Sequence, residues 1–247
     1  MKTLFAFALC FALGSGIPRG SKDISASCRA YTSPNYSGYN REFRDYIEAL
    51  STYNLDNSIQ SAVVSGIWLF YEDTQYNSRD FGGSSFFGWG QNLRIPTFHE
   101  LNRVFSSLRY SGVGENMIES TINFYDGAGF MGREQFYYGD SSYLNYDNFG
   151  KSIIITGCEP WTLYEDKHFR GDHICLYPGS TSSCAPGFFI EPKDFGYFSN
   201  RVSLKPKDFG YFSNRVSSVR RGCFSKKVYK SIPVPANSTR MFIQPSA

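Results

Sequence analysis

A repeated spacing of aromatic residues constrains the fold of this chain more than any other feature of its sequence. The unit is an aromatic residue, four further residues, a second aromatic residue, one more residue and glycine. Three units match in full and the second ends in serine: Tyr31, Tyr36 and Gly38; Tyr71, Tyr76 and Ser78; Tyr125, Phe130 and Gly132; Tyr164, Phe169 and Gly171. The units start 40, 54 and 39 residues apart, which indicates two pairs of units with a linker between the pairs.

Each unit has the features of a β-hairpin that folds back over its own sheet. Residues five apart on a flat strand point to opposite faces, so two rings enter one core only where the backbone folds between them. The four intervening residues are turn formers, as in Asp126–Gly129. The glycine that follows tolerates a positive φ, and Ser78 therefore predicts a different bend in the second unit.

A polar cluster that contains serine precedes an apolar strand in every unit. The clusters are residues 56–61, 102–107, 147–152 and 213–218. A serine hydroxyl can bond to backbone groups that have left the regular ladder. We therefore expect a serine of each cluster to cap amides that the folded hairpin leaves exposed.

The folded hairpins and these clusters together resemble the βγ-crystallin superfamily, over the stretch from Cys28 to Cys223. The resemblance implies an all-β fold with two βγ-crystallin-like Greek-key β-sandwich domains, each made of two Greek keys. On this basis we expect a first domain at 26–111, a linker at 112–120 and a second domain at 121–224. The composition of the two ends predicts a signal peptide at 1–16 and a basic, proline-containing tail at 225–247.

Runs of β-branched and aromatic residues between turn formers agree with this fold class. The predicted strands include Ile67–Phe70, Gln135–Tyr138, Ile153–Thr156 and His173–Tyr177. We expect short connecting helices at Asn40–Ser51 and Ile95–Leu101.

The resemblance also implies calcium as a cofactor. In that family, paired sites use Asn or Asp oxygens, a backbone carbonyl and the Ser or Thr hydroxyl at the fifth place of the cluster, and calcium takes about six to eight oxygen ligands. The candidate ligands are Asp56, Asn57, Ser58, Gln60, Asn102, Ser106, Asp147, Asn148, Asn214 and Ser217.

Every cluster departs from the full calcium motif. Lys151 occupies the fifth place of the third cluster, where a cation opposes the ion. Arg103 takes the second place of the second cluster, and Ser213 the first place of the fourth. We expect weak calcium binding, best in the first domain, with the alternative that the clusters serve only as turn caps.

The start of the chain is typical of a secretory signal. Lys2 precedes the apolar run Leu4–Leu13, and small residues follow at 14–16. The run is shorter than the ~20 residues that a spanning helix needs, and no later segment is long and apolar enough. We predict a secreted, extracellular protein without a membrane span, with cleavage after residue 14 or 16. The sequons at Asn35 and Asn237 predict N-glycosylation.

Secretion places the cysteines in an oxidising compartment. The five outside the signal are Cys28, Cys158, Cys175, Cys184 and Cys223. Two disulfides among the last four are expected, with Cys175–Cys184 and Cys158–Cys223 as the preferred pairing. Cys28 is then left over, either free and buried or available for an intermolecular bridge. Zinc is disfavoured because no C-x-x-C pair occurs.

Residues 192–203 and 206–217 have the same sequence, PKDFGYFSNRVS. Two copies do not make a repeat architecture, so we interpret the second copy as a recent tandem duplication or as an error in the gene model. We assign the second copy to the last sheet because Val219 follows its serines. The first copy would then be a surface excursion that carries Phe195, although the opposite register stays open.

No catalytic motif is present in the sequence. It has no phosphate loop, nucleophile elbow or histidine-metal spacing. His168 and His173 have Asp166 and Asp172 near them, and we interpret them as parts of a surface strand. The 25 basic and 22 acidic residues give a formal charge of +3, too small to indicate nucleic acid.

These features favour a secreted, non-enzymatic structural protein of the βγ-crystallin type. The alternative is a secreted binding module in defence that binds carbohydrate, inhibits proteinases or acts as a toxin, with the loop from Cys175 to Cys184 as its contact. Expected partners are a second copy of the chain or an extracellular glycan or protein. We expect the basic segment Arg220–Lys230 to be exposed to solvent, with binding to anionic glycans or lipid head groups as the alternative. We expect Ser231–Ala247 to be disordered.

Overall fold

The computed structural model describes residues 26–79, 81–114, 117–195 and 215–243, and in them the chain is built from β-strands and short 3₁₀ turns. The strands are β1 (Ser27–Ser33), β2 (Ser37–Phe43), β3 (Ser61–Tyr71), β4 (Ser84–Ile95), β5 (Ser107–Ser111), β6 (Thr121–Tyr125), β7 (Glu134–Tyr137), β8 (Ser152–Thr156), β9 (Trp161–Asp166), β10 (Arg170–Tyr177), β11 (Gly187–Phe189), β12 (Ser218–Arg221), β13 (Val228–Lys230) and β14 (Ser238–Ile243). The 3₁₀ turns are Leu50–Tyr53, Thr74–Asn77, His99–Leu101, Ala128–Phe130 and Pro192–Phe195. The all-β prediction is confirmed, and the predicted signal peptide lies outside the described residues.

One bent ribbon, made of β3 and β4, supplies strands to both sheets of the first sandwich. The ribbon bends where Gly66 faces Gly90, and both glycines have positive φ, 95° and 152°. Before the bend β3 pairs with β1, and after it β3 pairs with β5. Strand β2 extends the first sheet beyond β1. The first two units therefore share their strands, as Greek keys do.

The second sandwich has two separate four-stranded sheets. Their orders are β11-β8-β6-β7 and β12-β9-β10-β13. Strand β11 belongs to the fourth unit but pairs with β8 of the third, with Ile154 opposite Phe188. All pairs are antiparallel except β10 with β13. The exchange of strands between the third and fourth units repeats that of the first sandwich.

Aromatic side chains fill both sandwiches and the junction between them. The first core contains Trp68, Phe70, Phe86, Phe98 and Phe105. The second contains Phe124, Phe149, Trp161, Phe189 and Phe195. A third cluster joins the sandwiches and contains Ile67, Leu69, Tyr71, Phe87, Tyr125, Phe130, Ile154 and Phe188. Burial of this third surface is a hydrophobic gain available only when the two sandwiches are in contact.

The two copies of the duplicated segment contribute different ends to the fourth unit. Phe195, from the first copy, is fully buried and packs its ring 6.2 Å from that of Phe189. Val216, from the second copy, is also fully buried and leads into β12. The expected surface position of Phe195 is thus wrong, because an apolar ring is stabilised in the core. The residues between them, 196–214, lie outside the described ranges.

The four predicted strand runs fall within β3, β7, β8 and β10, with Tyr138 just beyond the end of β7. The two predicted helices are wrong. Ser37–Phe43 is a strand that pairs with β1, and only the 3₁₀ turns at Leu50–Tyr53 and His99–Leu101 remain of the helical segments. A short isolated helix gains too few hydrogen bonds to offset its nucleation, whereas pairing with an existing strand satisfies the backbone at once.

The cysteine pairing is Cys158–Cys184 and Cys175–Cys223, so the preferred pairing from the sequence is wrong. Strand order explains the difference. Cys158 follows β8 and Cys184 precedes β11, and these strands are neighbours. Cys175 lies on β10 beside the segment that leads to β13. Cys28 is free and fully buried, which leaves its sulfur unavailable for an intermolecular bridge in this conformation.

The expected disorder of Ser231–Ala247 is wrong for its described residues, which include β14, and the basic segment before them contains β13. Strand β13 joins the edge of β10, and β14 pairs with β4 of the first sandwich from Ser238 opposite Trp89 to Ile243 opposite Ser84. The indole Nε1 of Trp89 also donates to the Val234 carbonyl at 3.0 Å. An exposed sheet edge offers unpaired backbone groups, and β14 satisfies those of β4. Among the described residues, no helix has the length and apolar character that crossing a membrane requires.

Candidate functional site

The aromatic pair of every unit is in ring contact. The centroids are 6.0 Å apart for Tyr31 and Tyr36, 5.6 Å for Tyr71 and Tyr76, 5.5 Å for Tyr125 and Phe130, and 5.7 Å for Tyr164 and Phe169. The second ring of each pair has a positive φ between 58° and 62°. The backbone thus reverses at that residue and brings both rings to one side of the sheet.

The second unit reverses in a different way from the others. Gly38, Gly132 and Gly171 have φ of 76° to 78°, which a glycine adopts without a Cβ clash. Ser78 has φ −80° instead, and the preceding Asn77 takes the positive φ of 57°. Asparagine tolerates this region better than most residues, so the turn closes without glycine.

A buried serine caps each folded hairpin. Ser61, Ser107, Ser152 and Ser218 accept a hydrogen bond from the amide of the second ring residue at 2.9–3.1 Å, and each donates to a hairpin carbonyl at 2.6–2.7 Å. These are the last serines of the four clusters. Each one satisfies a donor and an acceptor that the reversed backbone would otherwise bury without partners.

In the first cluster the candidate calcium ligands bond mainly to one another and to the backbone. Asp56 is exposed, and its Oδ2 accepts from the Asn57 amide at 3.3 Å. The Ser58 hydroxyl donates to the Asp56 carbonyl at 2.8 Å. The side-chain nitrogen of Gln60 donates to the Thr32 carbonyl at 2.5 Å. This hydrogen bond fixes the side-chain amide and therefore the orientation of its oxygen.

The second cluster offers little to a cation. The Asn102 oxygen accepts from the Phe98 amide at 3.0 Å, and its amide nitrogen donates to the Thr97 hydroxyl at 3.0 Å. Ser106 is 7% exposed, and its backbone pairs with Tyr71 and Leu50. These groups stabilise the loop in which they lie.

The third and fourth clusters meet around Asp147. The Ser217 hydroxyl and the Lys167 ammonium, 3.1 Å from Oδ2, hold the pKa of Asp147 below its usual range. Asn148 has φ 53°, and its amide donates to Asp147 at 3.1 Å. Lys151 points elsewhere, with its Nζ 5.0 Å from the ring centroid of Phe81. Asn214 lies outside the described residues.

These donor sets do not fit a dedicated calcium site. The first and third clusters hold one carboxylate each and the second and fourth hold none, and the carboxylate of Asp147 is already paired with a lysine. No group of three His, Cys, Asp or Glu side chains within the described ranges is placed to hold a metal. Calcium needs several charged or carbonyl oxygens that converge on one point.

Arg109 is the polar residue at the centre of the junction, and the sequence analysis did not identify it. It is 1% exposed. Its Nε donates to the Tyr71 hydroxyl at 2.9 Å, its Nη1 to the Gly132 carbonyl at 2.9 Å, and its Nη2 to the Phe130 carbonyl at 2.8 Å. One strand of the first sandwich thereby holds the hairpin of the third unit. The only signal in the sequence is a cation within the strand Ser107–Ser111.

Tyrosine rings and one carboxylate surround the buried guanidinium. Its Cζ lies 4.3 Å from the ring centroid of Tyr76 and 4.8 Å from that of Tyr125. Glu134 accepts from the hydroxyls of Tyr125, at 3.1 Å, and of Tyr46. Burial raises the pKa of Tyr71, Tyr76 and Tyr125. The three phenols therefore stay protonated, and those of Tyr71 and Tyr125 act as hydrogen-bond donors.

A cavity of about 690 Å³, the interdomain cleft, opens beside Arg109 between the two sandwiches. The first sandwich contributes Asp45, Tyr46, Glu48, Gln75, Tyr76 and Ser78 to its wall. The second contributes Gly132, Arg133, Glu134, Phe136 and Tyr146. The cleft combines aromatic, acidic and basic side chains from both sandwiches.

The remaining candidates lie apart from the interdomain cleft. His173 stacks on Tyr164 with centroids 5.2 Å apart, and its ring nitrogens lie 3.1 and 3.2 Å from backbone carbonyls. The sequons Asn35 and Asn237 are both exposed, and their glycosylation stays a prediction. Cys184 is bonded to Cys158 rather than to Cys175. The predicted contact loop from Cys175 to Cys184 is therefore not closed by a disulfide between its own two ends.

Comparison with known proteins agrees with this geometry at the level of the fold. No family model matches the sequence, and no curated protein matches it. Geodin, a βγ-crystallin from Geodia cydonium, superimposes with a TM-score of 0.54 at 16% identity and covers 80% of this chain and 99% of its own. A βγ-crystallin from Ciona intestinalis covers 34% of this chain and 99% of its own, with a TM-score of 0.29 at 17% identity.

Protein S in complex with calcium covers 80% of this chain and 99% of its own, at 16% identity and a TM-score of 0.28. TM-scores below 0.5 carry no argument about the arrangement of the domains. The support for the architecture therefore comes from the comparison with geodin. That architecture consists of four folded hairpins, four serine caps and strands exchanged within each pair of units. This protein therefore has the two-domain βγ-crystallin fold, as its sequence motifs predicted.

Proposed function

We propose that this chain is a secreted, non-enzymatic structural protein of the βγ-crystallin type, whose two sandwiches act as one rigid unit. The observation that carries the proposal is the Arg109 junction. A guanidinium with two hydrogen bonds to the opposite sandwich and a third to Tyr71 of its own is costly to separate from its partners, and it lies within an apolar interface. Such a junction favours a single rigid unit over two domains that move independently.

The two disulfides support the extracellular part of the proposal. Disulfides persist in oxidising compartments, and the pairs here connect residues 26 and 48 positions apart. Cross-links of that span stabilise a folded domain by about 2–4 kcal/mol each. We further propose that the boundaries at 26–111 and 121–224 define the two domains, with β14 completing a sheet of the first.

Secretion and rigidity are tested on the full chain. Expression in a eukaryotic host should deliver protein to the medium with a new N-terminus after residue 14 or 16, as read by N-terminal sequencing. Guanidinium unfolding of that protein should show one cooperative transition in both fluorescence and circular dichroism. Retention inside the cells would contradict secretion, and two separate transitions would contradict the single rigid unit.

We also propose that calcium contributes little to stability, because Lys167 neutralises the carboxylate of Asp147. Calorimetric titration of calcium should give at most millimolar affinity for the natural chain, and Lys167→Ser should raise it. Lys151→Ser is the matched control and should leave the titration unchanged, since that ammonium lies against Phe81. Micromolar binding by the natural chain, or an equal gain in both variants, would contradict this part.

A further inference from the structure

We propose that the interdomain cleft binds a neutral saccharide, an activity that goes beyond the structural role. The cavity volume of about 690 Å³ lies within the range of ~300–1,000 Å³ that small-molecule sites occupy. Side chains from both sandwiches form its wall, so the junction that fixes the domains also fixes the shape of the cleft.

The wall carries charges of both signs and therefore favours neither anions nor cations strongly. Asp45, Glu48 and Glu134 supply three carboxylates, and Arg109 and Arg133 supply two guanidiniums. An anionic ligand meets the carboxylates, and a cationic ligand meets the arginines, so each gains little net attraction. A neutral ligand with many hydroxyls can donate to the former and accept from the latter.

Three of the five charged groups, Arg109, Arg133 and Glu134, are also held in place before a ligand arrives. The guanidinium of Arg109 is bonded to two carbonyls and a tyrosine. Arg133 pairs with Asp126 at 2.8 Å, and Glu134 accepts from two tyrosine hydroxyls. Such pre-organisation lowers the entropic cost of binding a polar ligand.

Tyr76 supplies a polar atom that the fold itself does not use. The residue is 8% exposed and lines the cleft, and its hydroxyl has no hydrogen-bond partner among the described residues. A buried hydroxyl without a partner costs free energy, and a ligand hydroxyl would remove that cost. The exposed side chains of Glu48 and Gln75 add an acceptor and an amide at the rim.

Aromatic rings on the opposite wall offer an apolar face. Phe136 and Tyr146 line the cleft, and Tyr146 is 47% exposed. A saccharide presents hydroxyls at its edge and C–H groups on its ring face, so it matches a wall of this kind. Charge balance, the unused hydroxyl and the exposed rings thus indicate the same chemical class.

The test begins with the secreted, disulfide-bonded full chain on an array of neutral, sialylated and sulfated glycans. We expect binding to neutral glycans. Calorimetry with the best neutral glycan should then show about a tenfold loss of affinity in Tyr76→Phe or Glu48→Gln, the loss expected for one hydrogen bond. Tyr39→Phe and Glu100→Gln, which change exposed residues outside the cleft, should bind like the natural chain.

Neither cleft variant removes a hydrogen bond that the structure gives to the folded chain, so both should melt at the natural temperature. The proposal is overturned by an array with no bound glycan, by binding to acidic glycans alone, or by unchanged affinity in both cleft variants. Equal losses in the control variants would also overturn it, because they would place the binding elsewhere. Each of these results leaves the single cooperative unfolding transition, and hence the structural proposal, intact.

Discussion

The guanidinium carbon of Arg109 lies 4.3 Å from the ring centroid of Tyr76, and both side chains are more than nine-tenths buried where the two sandwiches meet. The tyrosine belongs to the folded hairpin of the second unit. The arginine reaches from the following strand to the carbonyls of Phe130 and Gly132 in the third unit. One side chain therefore connects hairpins from both halves of the chain.

We expect Arg109→Met to destabilise the protein by about 2–4 kcal/mol, because the carbonyls of Phe130 and Gly132 lose a charged donor in the buried junction and the half-buried Glu134 loses a nearby cation. Guanidinium unfolding followed by tryptophan fluorescence measures the change. Arg79→Met alters an exposed arginine and should stay within about 0.5 kcal/mol of the natural chain. A similar small effect at Arg109 would show that the junction contributes little.

The serine caps make a second prediction. Ser152→Ala should cost about 1–3 kcal/mol, because the amide of Phe130 and the carbonyl of Gly127 lose their shared partner in a buried hairpin. Thermal melting against Ser51→Ala, which changes an exposed serine, checks it. Equal melting temperatures for the two variants would show that the hydroxyl does not hold the hairpin closed.

Glycine at the end of the unit is required in three hairpins and not in the second. A Cβ at position 132 would come within 2.0 Å of the Asp126 Oδ1, and φ there is +76°. Gly132→Ala should therefore cost at least ~1 kcal/mol. Ser78→Ala, at φ −80°, should be nearly neutral. Chemical denaturation of the two variants side by side decides the matter, and a loss of equal size would refute this account of the turn.

Thiol chemistry should distinguish Cys28 from the other cysteines. Burial raises the pKa of the Cys28 thiol, and a buried, protonated thiol reacts slowly with alkylating agents. We expect one modified thiol after denaturation and none in the native protein. Mass spectrometry of a non-reduced digest should yield peptides linked as Cys158–Cys184 and Cys175–Cys223. Any other linkage, or rapid native labelling, would contradict the arrangement.

Removal of β14 should turn the protein into a self-associating species. A chain that ends at Ala236 leaves the edge of β4 unpaired, and an open edge pairs readily with another copy. Size-exclusion chromatography with light scattering should detect dimers or larger species. A chain that ends at Ile243 keeps β14 and should elute like the full chain. A monomeric truncated protein would show that the edge is protected in another way.

The hairpins could be predicted from the sequence because their chemistry is local. Two rings, four turn residues and a glycine lie within eight positions, and the serine that caps Phe130 follows 22 residues later. Arg109 could not be assigned, because its partners at 130 and 132 become neighbours only after two sandwiches have formed. The same holds for Trp89 and Val234, which bond across 145 residues. A local sequence pattern does not show which edge strand of a sheet remains available for pairing with a distant segment.

For calcium, the motif could be recognised in the sequence but the state of the site could not. The motif is visible in the sequence, yet the carboxylate of Asp147 is bound by Lys167, which lies on a different hairpin. The lysine at position 151 looked more damaging because it falls inside the motif, but its side chain turns toward Phe81. Position within a motif therefore says less about charge at a site than the three-dimensional neighbours do.

Because of the duplicated segment, the fourth unit can lose or gain 14 residues without losing the side chains that its core requires. The core takes Phe195 from one copy and Val216 from the other, and each has an identical counterpart 14 positions away. Removal of any 14 consecutive residues beginning between positions 192 and 204 produces one and the same shorter polypeptide. A replication slip in this region can thus add or delete a whole period and still present the sandwich with the same two anchor side chains.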